Sequence, residues 1–495
     1  MEMAAIWKNF MTKAAIIKSG VIAMSISNAV VLGVGVLSYL FYSKLMSPTQ
    51  YGVYAGALAL AKFGTTILDG GLKVALVKHH EIPSSEVLRA LFLGSMRTSV
   101  AATLLLSISL YIIFYQKILD AESVVFLTLY ALAYFLTYPF LFIPLAKLER
   151  NQCFIPIAQI ETLSVAIEYA LPALLWFFVA PGYWSFILAV WISRIYRSFQ
   201  VFYATNDRSW LFSDTRPNWA LSREIFFEGI GLQVAVLAAT LRDSIHFLII
   251  GPLFGSAWVG LYAWSLQICS VASQVFVQTA TRVALPALRL KGSKILRWNT
   301  TLNQIVWLTI CTAPSLLFLT DLAGAANSEL FESKWTGALT LLPFLVIRML
   351  PGIALTSLSP LIMIERGARV YAAASFLWTL AEVVVAAILI WFYGAIGLAW
   401  SYSFMVWFGV VTFMYQLKSS SKFTSLLASL IFRPSLWLAF IMLLIYRYVI
   451  AQQGFNPNLI QICFLSLIGI IVSILSEPRV WIILRPHICS REFTK

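Results

Sequence analysis

The sequence predicts an all-α polytopic membrane protein of about 14 transmembrane helices, and three observations carry that expectation. Of the 495 residues, 60% are hydrophobic and 11% are charged, with a mean hydropathy of +0.85. A soluble domain carries about 25% charged residues, so an ordinary soluble enzyme and a disordered chain are both excluded. Apolar runs of about 20 residues recur from end to end, each long enough to cross a hydrocarbon core about 30 Å thick. The basic residues gather on alternate connections between those runs, the pattern that cytoplasmic loops impose.

Along the chain, residues 1–18 form a basic amphipathic segment, with Lys8, Lys13 and Lys18 set among Ile6, Trp7, Phe10 and Met11. No small-residue cleavage site follows a short apolar core, so the segment reads as an amphipathic cytoplasmic helix lying along the membrane rather than as a cleaved signal. The expected spans are 19–41, 51–73, 90–114, 122–145, 155–180 and 183–205, then 225–251, 256–283, 300–322, 338–362, 370–392 and 395–416. A final pair is expected at 435–452 and 458–476. Trp210, Trp298 and Trp335 stand near span ends, where interfacial aromatics concentrate.

The net charge of +14 tests this arrangement. With the N-terminus inside, the cytoplasmic stretches hold Lys73, Lys78 and Arg89, then Lys147 and Arg150. The central one holds Arg197, Arg208, Arg216 and Arg223, and the next Arg289, Lys291, Lys294 and Arg297. Arg366, Arg369, Lys418, Lys422 and Arg433 follow, and the tail holds Arg479, Arg485, Arg491 and Lys495. Opposite connections hold little beyond Lys44, Lys117 and Lys334. A missed span would invert this asymmetry downstream, so both termini are expected in the cytoplasm, and the charge implies no nucleic-acid partner. The five cysteines are scattered and mostly inside apolar runs, which points neither to disulfides nor to a metal site.

An internal repeat organises the spans. Tyr51-Gly-Val-Tyr-Ala55 opens the second span and Val259-Gly-Leu-Tyr-Ala263 opens the eighth, with Gly52 and Gly260 separated by 208 positions. Glu149-Arg150 resembles Glu365-Arg366, and Trp176-Phe177 with Gly182 resembles Trp391-Phe392 with Gly397, an offset of 215. The shared order makes spans 1–6 (residues 19–205) and 7–12 (residues 225–416) two copies of one lobe in parallel repeat. A cytoplasmic inter-lobe loop lies at 206–224, a second loop at 417–434, two extra helices at 435–476 and a cytoplasmic tail at 477–495. Paired bundles of this kind enclose a cavity whose exposure alternates.

Lys18-Ser-Gly20, Leu45-Met-Ser-Pro-Thr-Gln-Tyr-Gly-Val-Tyr54 and Leu68-Asp-Gly-Gly-Leu-Lys-Val-Ala-Leu-Val77 resemble the bacterial polysaccharide flippases of the multidrug/oligosaccharidyl-lipid/polysaccharide exporter superfamily. Arg242-Asp-Ser-Ile-His-Phe-Leu-Ile-Ile250 followed by Val259-Gly-Leu-Tyr-Ala263 resembles their second lobe. The resemblance covers about residues 18–416. It implies a non-enzymatic flippase in the bacterial inner membrane that moves an undecaprenyl-diphosphate-linked oligosaccharide repeat unit outward for O-antigen (lipopolysaccharide), capsule or exopolysaccharide synthesis. It also implies an inward-open, V-shaped pair of lobes, no cofactor, and a polysaccharide polymerase and chain-length regulator as partners beside the membrane lipids.

Independently of that resemblance, ionisable residues inside spans are informative, because each costs roughly 2.5–3.5 kcal/mol to insert and must face a cavity or a partner. The cations are Lys62, Arg97, Arg242 and Arg348; the acids are Asp69, Glu161, Glu168, Glu228, Asp243 and Glu382, with His246 among them. Lys62 and Asp69 lie seven apart, hence on one helical face, and Glu161 and Glu168 repeat that spacing. Arginine grips phosphate oxygens bidentately, so Arg242 and Arg348 are the expected diphosphate or sugar contacts, with Lys62 in support. The competing reading pairs Arg242 with Asp243 or Glu228. Arg97 is expected to snorkel. No phosphate-binding loop is present, so transport is expected to couple to protons or sodium. Glu168 and Glu382 are the leading carriers, followed by Asp69, Asp243, Glu161 and Glu228.

Three alternatives stand beside this reading. A multidrug or cation antiporter of the same fold would favour an acidic cavity, which the buried cations oppose. A lipid II flippase would carry first-helix arginines, whereas Val21 to Tyr42 holds no charge. A membrane polysaccharide polymerase or ligase would need a large external loop, and the longest outer connection is about residues 323–337.

Overall fold

The computed structural model describes residues 23, 26–28, 30–31, 33–35, 37–78, 83–116, 119–151, 153–178, 182–205, 209–212, 216–270, 288, 293–326, 333–417, 426, 471 and 475. The expected amphipathic segment 1–18, nearly all of the loop at 417–434, the last pair of spans, the tail and most of the eighth span beyond residue 270 lie outside the described residues. So does the Glu228 side chain. Among the described residues there are helices and turns but no strand. Contacts divide the chain after Gly260 into two compact units.

The first unit begins with α1 (Ile26–Leu45). It continues with α2 (Pro48–Asp69), α3 (Leu72–Lys78), α4 (Ser85–Tyr115), α5 (Ala121–Arg150) and α6 (Phe154–Phe178). α7 (Tyr183–Ala204), the short α8 (Ser209–Phe212), α9 (Trp219–Phe254) and the start of α10 (from residue 256) follow. Local chemistry sets the ends of α2. Ser47 and Gln50 form a reciprocal capping box before Pro48, and Gly70 terminates the helix in the left-handed region at φ 52. α5 is the central element, buried along most of its length and packed against α2, α3, α4 and α7. Leu72, Leu91, Phe92, Phe142, Ile143 and Trp210 form one apolar core. On α4, by contrast, Leu104, Leu105, Ile108, Tyr111 and Ile112 are exposed, the inverted pattern of a helix with a lipid-facing side.

The second unit holds α10 as far as residue 270, α11 (Lys294–Ala326), a 3-10 turn (Ser333–Trp335), α12 (Thr336–Leu339), α13 (Leu342–Glu365) and α14 (Ala368–Gln416). α14 contains both the eleventh and twelfth expected spans, joined through a kink at Gly394, φ 60. α13 packs against α11 and α14 around Trp298, Ile305, Leu358, Trp378 and Phe413. The ring of Trp378 occupies the space left by Gly409, where an added Cβ would lie 2.7 Å from it.

The described helices fall at the first twelve expected spans, the eighth described only as far as residue 270, and seven stretches among the described residues are long and apolar enough to cross a membrane. α2 and α7 are less apolar and carry Lys62 and Asp69, and Arg194 and Arg197. Three local expectations change. Trp210, Trp298 and Trp335 are buried in protein rather than lying at an interface, Trp335 stacking on Trp264 with centroids 5.5 Å apart. Part of the expected loop at 206–224 is helical, with Arg223 on α9, and Arg197 lies inside α7 rather than in a connection. The repeated Glu-Arg pairs both close a helix, and each glutamate forms an ion pair within its own unit. Glu149 meets Lys73 at 2.9 Å and Glu365 meets Arg297 at 2.8 Å.

Candidate functional site

A cavity of about 470 Å³ opens in the first unit among α2, α5, α6, α7 and α9. Its charged lining is Lys62, Asp69 and Lys73 from α2 and α3, Glu168 from α6, and Arg194 and Arg197 from α7. Tyr134, Tyr138 and Tyr169 supply aromatic rings, and Thr65, Thr66 and Thr137 supply hydroxyls. The threonines donate along their own helices, Thr65 to Ala61 O at 2.9 Å and Thr66 to Lys62 O at 2.9 Å. α9 reaches this wall through Val236, and the Gln233 amide donates to the Thr66 carbonyl.

Glu168 is the centre of a buried network. Its Oε2 lies 2.6 Å from Arg194 Nη2, and its Oε1 accepts the Tyr134 hydroxyl at 2.5 Å and the Tyr130 hydroxyl at 3.3 Å. Ser193 Oγ stands 3.5 Å from Oε2 while donating to the Ser164 carbonyl at 2.7 Å. The Arg194 guanidinium also lies over the Tyr134 ring, 3.6 Å from its centroid, so one tyrosine holds both members of the pair. About two turns away on α6, Glu161 accepts from Arg197 Nη2 at 3.1 Å. Asp69 accepts the Tyr138 hydroxyl. Lys73 is held by Glu149.

Three of the four lining cations therefore have a carboxylate partner. Lys62 is the exception: among the described residues its ammonium has no ion pair and no hydrogen bond, although it is exposed to the cavity. Glu168 on α6 and Asp243 on α9 are the acids whose fields reach it. The buried Nε donors of Arg194 and Arg197 are likewise without a hydrogen-bond acceptor among the described residues.

The sequence-predicted residues distribute as follows. Lys62, Asp69 and Glu168 line one cavity, with Glu161 behind Arg197. Arg242 points its Nε at Asp243 across 3.9 Å, the pairing weighed as the competing reading; the arginine is mostly buried and the aspartate exposed. Arg348 lies in the second unit with its guanidinium 3.4 Å over the Tyr402 ring, and Glu382 is buried in α14. His246 is buried on α9, and Arg97 stacks over Trp219 at 5.1 Å. Among the described residues no group of three or more His, Cys, Asp or Glu could hold a metal ion.

Arg194 is the residue that sequence reasoning missed. A signal was present: α6 and α7 are consecutive helices packed on one another, and Glu168 and Arg194 are each 13 positions from residue 181, which lies between them in sequence. An acid and a base so placed face one another whenever both point inward.

Residues 42–340, more than half of the chain, match a family described as polysaccharide biosynthesis protein. No curated protein matches. Among solved structures, the lipid II flippase MurJ in an inward closed conformation superposes with a TM-score of 0.69 at 15% identity, covering 94% of this chain and 100% of that one. An inward-facing multidrug resistance MATE family transporter of the MOP superfamily gives 0.53 at 14%, covering 81% and 98%. The Vibrio cholerae MATE transporter VcmN gives 0.53 at 14%, covering 84% and 99%. At these identities the likeness is one of fold. With its apolar helices and cation-lined cavity, the chain is a multi-pass membrane protein with the fold of these transporters, and it belongs to the polysaccharide biosynthesis protein family.

Proposed function

We propose that the protein is a flippase carrying an undecaprenyl-diphosphate-linked oligosaccharide repeat unit from the cytoplasmic to the outer leaflet of a bacterial inner membrane, for O-antigen, capsule or exopolysaccharide synthesis. It works by alternating access between two six-helix lobes, driven by a proton or sodium gradient, with two further C-terminal helices and both termini cytoplasmic. A polysaccharide polymerase and chain-length regulator receive its product. The observation that carries this reading is Lys62, whose ammonium has no ion pair among the described residues, while the other described lining cations each have a carboxylate. A cation in a membrane cavity with no counter-ion among the described residues invites an anionic headgroup and repels a cationic drug, which sets the flippase above the multidrug antiporter. Tyrosine rings and hydroxyls beside it suit the sugar next to the diphosphate. Arg242 and Arg348 are further proposed headgroup contacts. Glu168 and Glu382 lead the proposed ion carriers, with Asp69, Asp243, Glu161 and Glu228 behind them.

The test is surface polysaccharide in cells whose own gene is replaced by Lys62 variants, read together with the amount of protein in the membrane. A charge-assisted phosphate contact is worth about 1.5–3 kcal/mol, so Lys62→Ala should lower export roughly tenfold or more and Lys62→Arg should retain most of it. Lipid-linked repeat units should accumulate on the cytoplasmic leaflet. Normal export by Lys62→Ala at normal protein levels would overturn the assignment.

A further inference from the structure

A second cavity, of about 330 Å³, lies in the first unit and shares no described lining residue with the central one. Its walls come from the ends of four helices: Leu76 on α3, Pro83 and Leu88 at the start of α4, the last turns of α5, and Ala204 and Thr205 where α7 ends. Cys153, just beyond α5, completes the lining. Among the described lining residues Lys147 and Arg150 are the cations, and none is an acid.

Lys147 and Arg150 stand three positions apart in the last turn of α5, so they are neighbours on one helical face. Both are held at the cavity wall. Arg150 Nη1 donates to the Leu76 carbonyl at 3.4 Å, and the Lys147 ammonium lies 5.9 Å from the centroid of the Trp210 ring. Glu149, between them in sequence, is engaged with Lys73 at 2.9 Å. Leu76, Leu88, Ile143 and Leu148 are buried apolar side chains of the same lining. Paired positive charge thus meets apolar walls where the hydrophobic stretch of α5 gives way to its basic end, the depth of the lipid headgroups.

We infer that this cavity binds the headgroup of an anionic phospholipid, with the phosphate on Lys147 and Arg150 and the glycerol and first acyl carbons along the leucine and isoleucine side chains. Arginine presents a planar fork of donors to phosphate oxygens and lysine a mobile point charge, so the two together grip one phosphate from a single helix turn. A free phosphate ion would use the cations but gain nothing from the apolar walls, whereas a lipid uses both. Basic pockets between membrane helices select lipids of this charge. A zwitterionic phospholipid brings its own cation up to the two already present, which repel it, so the favoured headgroup carries net negative charge, as in phosphatidylglycerol or cardiolipin. The site is separate from the central cavity and stands whatever cargo that cavity takes.

Cys153 supplies the test, because its half-buried thiol lines the cavity and its alkylation reads occupancy. The full chain in maltoside micelles is treated with N-ethylmaleimide, and mass spectrometry of the Cys153 peptide gives the rate. Phosphatidylglycerol should slow this labelling roughly fivefold or more at saturation, and phosphatidylcholine at the same mole fraction should leave it unchanged. Replacing both cations, Lys147→Gln with Arg150→Gln, should abolish the protection while the lipid-free rate stays that of the parent. Equal protection by both lipids, or none by phosphatidylglycerol, overturns the inference, as does protection that survives in the double variant. Protection by inorganic phosphate to the same extent assigns the site to a soluble ion and overturns the lipid. If the double variant does not fold, the comparison of the two lipids and phosphate on the intact chain still decides.

Discussion

Gly52 and Gly260, the glycines that the internal repeat aligns, press against one another. A Cβ on Gly52 would lie 1.8 Å from the Ser256 carbonyl oxygen and 2.8 Å from Gly260 N, and one on Gly260 would lie 1.9 Å from the Pro48 carbonyl oxygen and 3.0 Å from Gly52 N. The two backbones thus touch at the starts of α2 and α10, the close approach that small residues permit in lipid. Because backbone rather than a flexible side chain must yield, Gly52→Ala and Gly260→Ala should each cost about 1–3 kcal/mol or more. Thermal unfolding in detergent checks this, with Gly56→Ala as the control, since nothing lies within 4 Å of a Cβ there. Equal stability of all three variants would refute the contact.

Glu168 and Arg194 should behave as one unit. Removing either alone strands a buried charge, so Glu168→Leu and Arg194→Met should each destabilise by about 3–5 kcal/mol, while the double variant should recover most of that loss. Denaturant titration of the purified proteins reads the cycle. Additive single effects would show that the pair contributes no coupling.

For Arg242, a proposed headgroup contact, Arg242→Ala should abolish surface polysaccharide while the protein still reaches the membrane, and Arg242→Lys should restore it only in part. Normal polysaccharide in both variants would leave the arginine as a partner of Asp243 and nothing more.

Asp120 is the N-cap of α5, just before its apolar stretch begins. Its carboxylate accepts Ser123 N at 3.0 Å and Ser123 Oγ at 2.6 Å, and the Ser123 hydrogen bonds hold it below the usual carboxylate range. A lowered value in the folded state means the cap stabilises fully at neutral pH, and that this contribution fades as the pH falls through the ordinary carboxylate range towards the lowered value. Asp120→Ala should cost about 0.5–2 kcal/mol at pH 7. The difference between variant and parent should shrink in acid, and a pH-independent difference would refute the cap as its source.

Much of the site was legible before any fold was known. Lys62 and Asp69, seven apart, do share a cavity wall, and Glu168 does sit inside a polar network. Helical spacing carries that information because it needs only one helix. The ranking of the cations was not legible. Arginines drew attention over Lys62 on phosphate chemistry alone, yet Arg194 is locked to Glu168, Arg348 is stacked on Tyr402, and it is Lys62 whose ammonium has no partner among the described residues.

What the amino-acid order determined by itself is the membrane-crossing, helical character of the chain and where most helices begin and end. Transfer of a 20-residue apolar segment into lipid, and the caps and glycines that bound it, are local properties. Which charges meet was decided only in three dimensions. Each residue turns a helix by about 100°, so a small rotation of α7 would aim Arg194 at lipid instead of Glu168 without altering a single hydropathy value. Partnership depends on the mutual register of α2, α5, α6 and α7, and that register is set by packing across the whole bundle.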